Sequence, residues 1–252
     1  MINGIKAEYR KLTTVRSTYI ITGLACVVAI FFSFYVFGVK AFPPDLTNPF
    51  RIRDSVFLML NNTLFLIGLV SLLLFTHEYR YNMITYTLTS TKDRINVLIA
   101  KSVVMAGFAV FFAFLIGFLT VLSMYIGLSV ADVNMVDQNL DIGQLLWRGL
   151  FGAFGVAMFG LIMGGLIRNQ VGAIVAFLVG PGIIENLLTL VLKAKAVYLP
   201  FTSLNQVIFA SEGETFNGAK LLSPGKSALI VCIYIVVFWA LTLFLLKKRD
   251  AN

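Results

Sequence analysis

Six apolar runs, each at least long enough to cross a bilayer's hydrocarbon core, dominate this chain. A helix needs roughly 20 residues to cross that core. The runs lie at 18–39, 54–76, 95–128, 145–167, 171–192 and 226–246. Of the 252 residues, 59% are hydrophobic and 13% charged, against roughly 25% charged in a soluble domain. The expected fold is an all-α integral membrane protein with six transmembrane helices, forming one transmembrane domain over 1–252. No small-residue cleavage site follows the first run, so a removed signal peptide is not expected. Cys26 and Cys232 both lie in apolar runs and read as buried small hydrophobes, not as a disulfide framework.

Residues 1–17 precede the first run. Ile2, Ile5, Tyr9 and Leu12 recur at helical spacing and share one face, with Lys6, Arg10, Lys11 and Arg16 around the rest. This is the pattern of a basic amphipathic helix lying among lipid headgroups. The simpler alternative is a basic flank that fixes orientation. Pro43, Pro44 and Pro49 stop any helix after the first run. Asn61 and Asn62 lie inside the second run and are expected to face protein, because unpaired amides in hydrocarbon are costly. Residues 77–94 are rich in charge, Tyr and Thr, too polar for a bilayer and too amphipathic for a plain loop. They read as an interfacial segment placed to meet a soluble partner.

Two features interrupt the later spans. Pro181-Gly182 predicts a kink in the fifth run. Glu185 follows, and an ionisable residue at membrane depth marks a candidate functional site. The reading we favour has Glu185 near the outer end, reaching water and pairing with Lys193. Within the outer segment 193–225, the stretch 196–211 is half apolar, holds Pro200 and is too short to cross. It reads as a re-entrant or interfacial helix, which is tolerated at depth only when covered by protein or lining a cavity. Pro181, Glu185, Pro200 and Phe201 are the candidate pathway or gate residues. Gly160 and Gly164 recur at four-residue spacing, as do Gly172, Ala176 and Gly180. They allow close helix approach, either within one subunit or at a seam between two.

Lys and Arg placement sets orientation. With the N-terminus inside, twelve Lys and Arg face four acids (Glu8, Glu78, Asp93 and Asp250) on the inside, and eight face eight outside. Both ends are then cytoplasmic, and the net charge of +8 calls for no nucleic acid. A search for chemistry finds little. His77-Glu78 begins like a zinc-protease helix, but the second His would have to stand at Tyr81. Gly225-Lys226-Ser227 ends like a phosphate loop, but the required earlier Gly is Lys220. Neither a metal site nor a nucleotide site is expected in this chain, and no catalytic residue is assigned. An ion-coupled carrier would show several intramembrane acids or paired broken helices in two repeats; only Glu185 qualifies.

Glu78, Tyr79, Arg80, Met83, Ile84, Thr87, Leu88, Thr91, Arg94, Ala100 and Lys101 stand in an order that resembles the permease subunits of type-two ATP-binding-cassette (ABC) exporters. Asn82 and Lys92 depart from that family's usual Gly and Pro. Glu8, Lys11, Leu12 and Arg16 resemble its N-terminal elbow helix. Arg168-Asn169-Gln170 resembles its short turn between the fourth and fifth spans, and Tyr198-Leu199-Pro200-Phe201 its outer re-entrant region.

The resemblance implies a single transmembrane permease domain with a cytoplasmic coupling helix over 77–94. That helix docks on a separate ABC ATPase subunit, using Glu78, Tyr79, Arg80, Tyr81, Met83, Ile84, Thr87, Leu88 and Arg94. It also implies a second permease subunit, identical or not, membrane lipids as surroundings, ATP and magnesium bound in the partner alone, and a bacterial plasma (inner) membrane location. Two other classes fit the spans: a non-transporting scaffold or immunity protein, and a carrier driven by an ion gradient.

Overall fold

The computed structural model describes residues 2–38, 49–81, 83, 94–131, 141–209, 215–216 and 219–249. Among them, six segments are long and apolar enough to cross a membrane: Arg16–Gly38, Ser55–Arg80, Arg94–Val130, Ile142–Leu166, Gln170–Tyr198 and Pro224–Lys248. The protein is an all-α membrane protein, apart from a two-residue antiparallel pair, Thr215–Phe216 with Ala219–Lys220.

Short α1 (Ile2–Thr14) is separated from α2 (Arg16–Gly38) by Val15. Helix α3 runs Pro49–Arg80 and α4 Arg94–Val130. Pro49 opens α3 instead of ending a loop, since the first helical position needs no N–H donor. Helix α5 (Ile142–Leu166) starts on Asp141, whose carboxylate accepts the Gln144 N–H at 3.0 Å. Helix α6 (Gln170–Val179) is capped by Asn169, which accepts the Gly172 N–H at 3.0 Å. The short turn at 168–170 is therefore a helix cap. At Pro181 the fifth span loosens into one π turn, Gly180–Ile184, before α7 (Glu185–Leu192) resumes. The missing proline N–H is the physical cause of the expected kink. A 3-10 turn (Lys193–Tyr198) leads to α8 (Pro200–Phe209), and α9 (Pro224–Arg249) ends the chain.

Helices α3 and α5 form the centre and are the most buried, while α6–α7 and α9 are peripheral. Hydrocarbon offers no hydrophobic drive between helices, so close backbone approach and hydrogen bonds must hold them. Gly160 meets Gly68: a methyl group added to Gly160 would lie 2.1 Å from the Gly68 carbonyl oxygen. Gly164 stands against Leu72 in the same way, at 2.7 Å from its oxygen. The Ser71 hydroxyl crosses the seam to the Ala157 carbonyl at 2.6 Å. A parallel device joins α2 to α4, where a Cβ on Gly127 would lie 2.9 Å from the Gly38 nitrogen. Gly160 and Gly164 thus pack within the chain. A Cβ on Gly180 would meet nothing within 4 Å.

Some expectations change. Asn61 is half-buried, but Asn62 is exposed, because consecutive helical residues point about 100° apart and cannot share a face. Cys232 is exposed and Cys26 half-buried, both free, since the peripheral helices turn much of their surface outward. Replacing Gly160 with Leu should destabilise the fold by about 1–3 kcal/mol through overpacking, read as a lower detergent melting temperature. Gly180→Ala should leave it unchanged.

Candidate functional site

Where α1, the end of α3 and the start of α4 meet, four charged side chains close on one another. Lys101 of α4 is fully buried. Its ammonium donates to Glu8 Oε2 at 2.8 Å, Glu78 Oε1 at 2.7 Å and the Leu74 carbonyl at 3.4 Å. A lysine ammonium has three donors, and all three are used. Lys11, half-buried on α1, donates to Glu8 Oε1 at 2.7 Å and to the same Glu78 oxygen at 2.6 Å. Two cations and two anions cancel, which a buried set requires. The Phe75 ring lies 5.2 Å from the Lys101 nitrogen and adds a cation–π contact. Glu78 Oε2 is buried without a hydrogen-bond partner among the described residues.

Burial by itself would push the Glu8 carboxyl up; Lys101 first, then Lys11, outweigh it and hold Glu8 below its ordinary 4.5. Burial likewise opposes the charge on Lys11, and the bonds to Glu78 and then Glu8 raise it above its ordinary 10.5. A depressed acid contributes stability above its unfolded value and loses it as pH falls through the folded one. A raised base does the reverse. Glu8 and Lys11 are therefore both charged throughout the neutral range.

This geometry corrects the reading of several coupling residues. Helix α3 continues through residues 77–80, the first part of the stretch expected to be interfacial. Glu78 is buried and faces Lys101 and Lys11, so it is not a surface group for a soluble partner. Tyr79 packs along Phe75, ring centroids 6.0 Å apart, under the Arg168 guanidinium at 5.8 Å. Arg94 donates to the Leu246 and Lys247 carbonyls at 2.7 and 2.8 Å, pinning the last turn of α9. Arg80, Tyr81 and Met83 are exposed, with Arg80 reaching Gln170 Oε1 at 3.2 Å. Ile84, Thr87 and Leu88 lie outside the described residues. On α1, Glu8 and Leu12 are buried and Ile5 half-buried, whereas Ile2 and Tyr9 are exposed, as is Arg16 at the start of α2.

Glu185 forms a second centre. It is buried, and its carboxylate accepts the Phe201 N–H at 2.8 Å, the Thr202 N–H at 2.7 Å and the Thr202 hydroxyl at 2.8 Å. It therefore caps the N-terminus of α8, where backbone donors lack helical partners and negative charge is favoured. The expected surface pair with Lys193 is replaced by this cap, because three directed donors satisfy a buried carboxylate better than one remote ammonium. Pro200 occupies the first position of α8. Phe201 enters an aromatic cluster with Phe159 at 5.1 Å and Phe177 at 6.1 Å, and Phe177 stacks on Phe65 at 4.7 Å. Gln206 was not singled out from the sequence. It donates to the Val197 carbonyl at 2.8 Å and accepts the Leu222 N–H at 3.0 Å, tying α8 to the turn before it and to the chain that leads into α9. Lys101 was noticed only within a motif. A lysine inside an apolar run, with acids just outside the first and second runs, was the available signal.

Spanning helices tied at one end to a short amphipathic helix, with the short helix α8 capped by a carboxylate from the fifth span, define a polytopic membrane protein. The family model described as ABC-2 family transporter protein matches residues 4–181, from α1 through Pro181. The chain belongs to that family and is a transmembrane subunit of an ABC transporter. No individual curated protein matches it.

Replacing Lys101 with Met leaves two buried carboxylates sharing the single ammonium of Lys11 and should cost about 3–5 kcal/mol, measured by thermal unfolding in detergent. The wild-type melting temperature should hold from neutral pH down to about 4.5, the ordinary Glu8 value, and fall below it. Glu8→Gln should shrink that acid-side fall. Glu185→Ala should speed hydrogen exchange at the Phe201 and Thr202 amides by roughly tenfold or more, while Lys193→Ala leaves them unchanged.

Proposed function

We propose that this chain is the membrane subunit of an ATP-driven exporter in a bacterial plasma membrane, with both ends cytoplasmic. It works beside a second permease subunit and two copies of a separate ATPase, which bind the ATP and magnesium. The chain performs no covalent chemistry. The observation that carries this reading is the family match over residues 4–181.

The charge network supplies a physical route for coupling. ATP binding closes the ATPase pair and displaces the segment docked on it. Arg80, Tyr81 and Met83 are exposed where α3 ends and form the near edge of that docking surface. Glu78 acts behind them: locked to Glu8 through Lys11 and Lys101, it makes α1, α3 and α4 respond as one body. Asn62, exposed within the second span, supports a second subunit or a polar pathway against α3, since a bare amide facing lipid is costly.

The test is a mild-detergent purification of the tagged chain from its own host. A stoichiometric soluble subunit with a nucleotide-binding loop should co-purify. Arg80→Glu combined with Tyr81→Ala should reduce its recovery about tenfold, equivalent to roughly 1.4 kcal/mol, with the melting temperature of the permease unchanged. A chain recovered free of any ATPase, from cells that express one, would overturn the reading.

A further inference from the structure

Beyond the charge network, α1 and α4 part. Near the network they touch: an added Cβ on Gly4 would lie 3.8 Å from that of Ala100, and Glu8 reaches Lys101. Further along α4, a crevice of about 530 Å³ opens between Ile5, Lys6 and Tyr9 on one side and Val103, Gly107 and Phe111 on the other. A Cβ on Gly107 would meet nothing within 4 Å, so the missing side chain leaves open space. From Val103 to Phe111 the α4 wall runs about 12 Å along the helix axis. Apart from Lys6, the lining carries no charge.

The charges on α1 divide into two groups. Lys11 is consumed by Glu8 and Glu78. Lys6 and Arg10 are exposed, and among the described residues no carboxylate pairs with either. Both line a second, shallow groove of about 540 Å³ along α1, with Asn3 and Thr14. Lys6 borders both spaces, so the cations stand at the mouth of an apolar slot.

We propose that this crevice binds an anionic phospholipid, its phosphate held by Lys6 and Arg10 and one acyl chain lying along Val103 to Phe111. Lipid tails are already in hydrocarbon, so the slot contributes position and shape more than hydrophobic drive. Preference for the lipid rests on the charges, which attract an anionic headgroup at the membrane surface. A lipid seated there braces α1 against α4 on a side the charge network leaves open. This binding requires the spanning fold alone and stands or falls separately from transport.

The experiment places the full-length chain in nanodiscs of mixed phosphatidylcholine and phosphatidylglycerol, with a phosphatidylglycerol bearing a photoreactive acyl chain. Retained lipid is counted by native mass spectrometry, and cross-linked peptides are mapped. Phosphatidylglycerol should be retained over phosphatidylcholine, with cross-links concentrated on α1 and residues 103–111. Lys6→Gln and Arg10→Gln should each lower its retention about fivefold; both are exposed, so the fold survives. Gly107→Leu should fill the slot and displace the cross-links. Lys248→Gln, removing an exposed cation that lies over Phe244, should leave retention unchanged. Equal retention of the two lipids, undiminished retention when Lys6→Gln and Arg10→Gln are combined, or cross-links as dense on α6 and α7 would overturn the proposal.

Discussion

The ammonium of Lys101 is the group around which one end of this protein is arranged. A charge with no exposure to water cannot stand alone inside an apolar bundle. It recruits a carboxylate from α1 and another from the end of α3, and takes a backbone carbonyl for its third donor. Lys11 then neutralises the second negative charge. Four residues from three segments far apart in sequence become mutually dependent. Helix α3 stays helical past the apolar run because Glu78 has to reach Lys101. Helix α1 lies where it does because Glu8 has to reach the same nitrogen.

The rest of the bundle is held by a different force. Surrounded by lipid, helices gain little by hiding apolar surface from one another. The central α3–α5 pair therefore relies on contact between glycine backbones and a hydroxyl-to-carbonyl bond. Side chains on α6, α7 and α9 face outward along much of their length, as hydrocarbon permits. Helix α8 is fastened from inside: Glu185 holds its first N–H groups, and Gln206 ties it to Val197 and Leu222. A carboxylate that would be a liability in a span becomes the cap of another helix.

These two polar centres lie in different parts of the fold. One gathers α1, α3 and α4, with Arg94 adding the last turn of α9. The other joins α7 to α8. A displacement entering at the first is carried by elements tied together, since separating them would leave buried charges uncompensated. Stiffness of this kind suits a part that transmits movement, and it leaves the exposed cations of α1 free for a lipid.

How much was legible in the sequence depends on the physics of each feature. The six spans, the helical class, the kink at Pro181 and the amphipathic character of residues 2–14 follow from local composition. Bilayer thickness and the chemistry of proline act on a few neighbouring residues at a time. The family too was readable, from the order of degenerate motifs along the chain. The partners of buried charges were not. Glu78 reads as a surface group because polar residues surround it in sequence, and Glu185 reads as a near-end charge because Lys193 is its nearest cation. Their true partners, Lys101 and the α8 amides, are brought close only by packing between distant segments. The sequence by itself determined which stretches enter the membrane, because solvation is a property of each stretch. Only the tertiary structure decided which polar groups meet, because pairing in low dielectric depends on distances that no local pattern records.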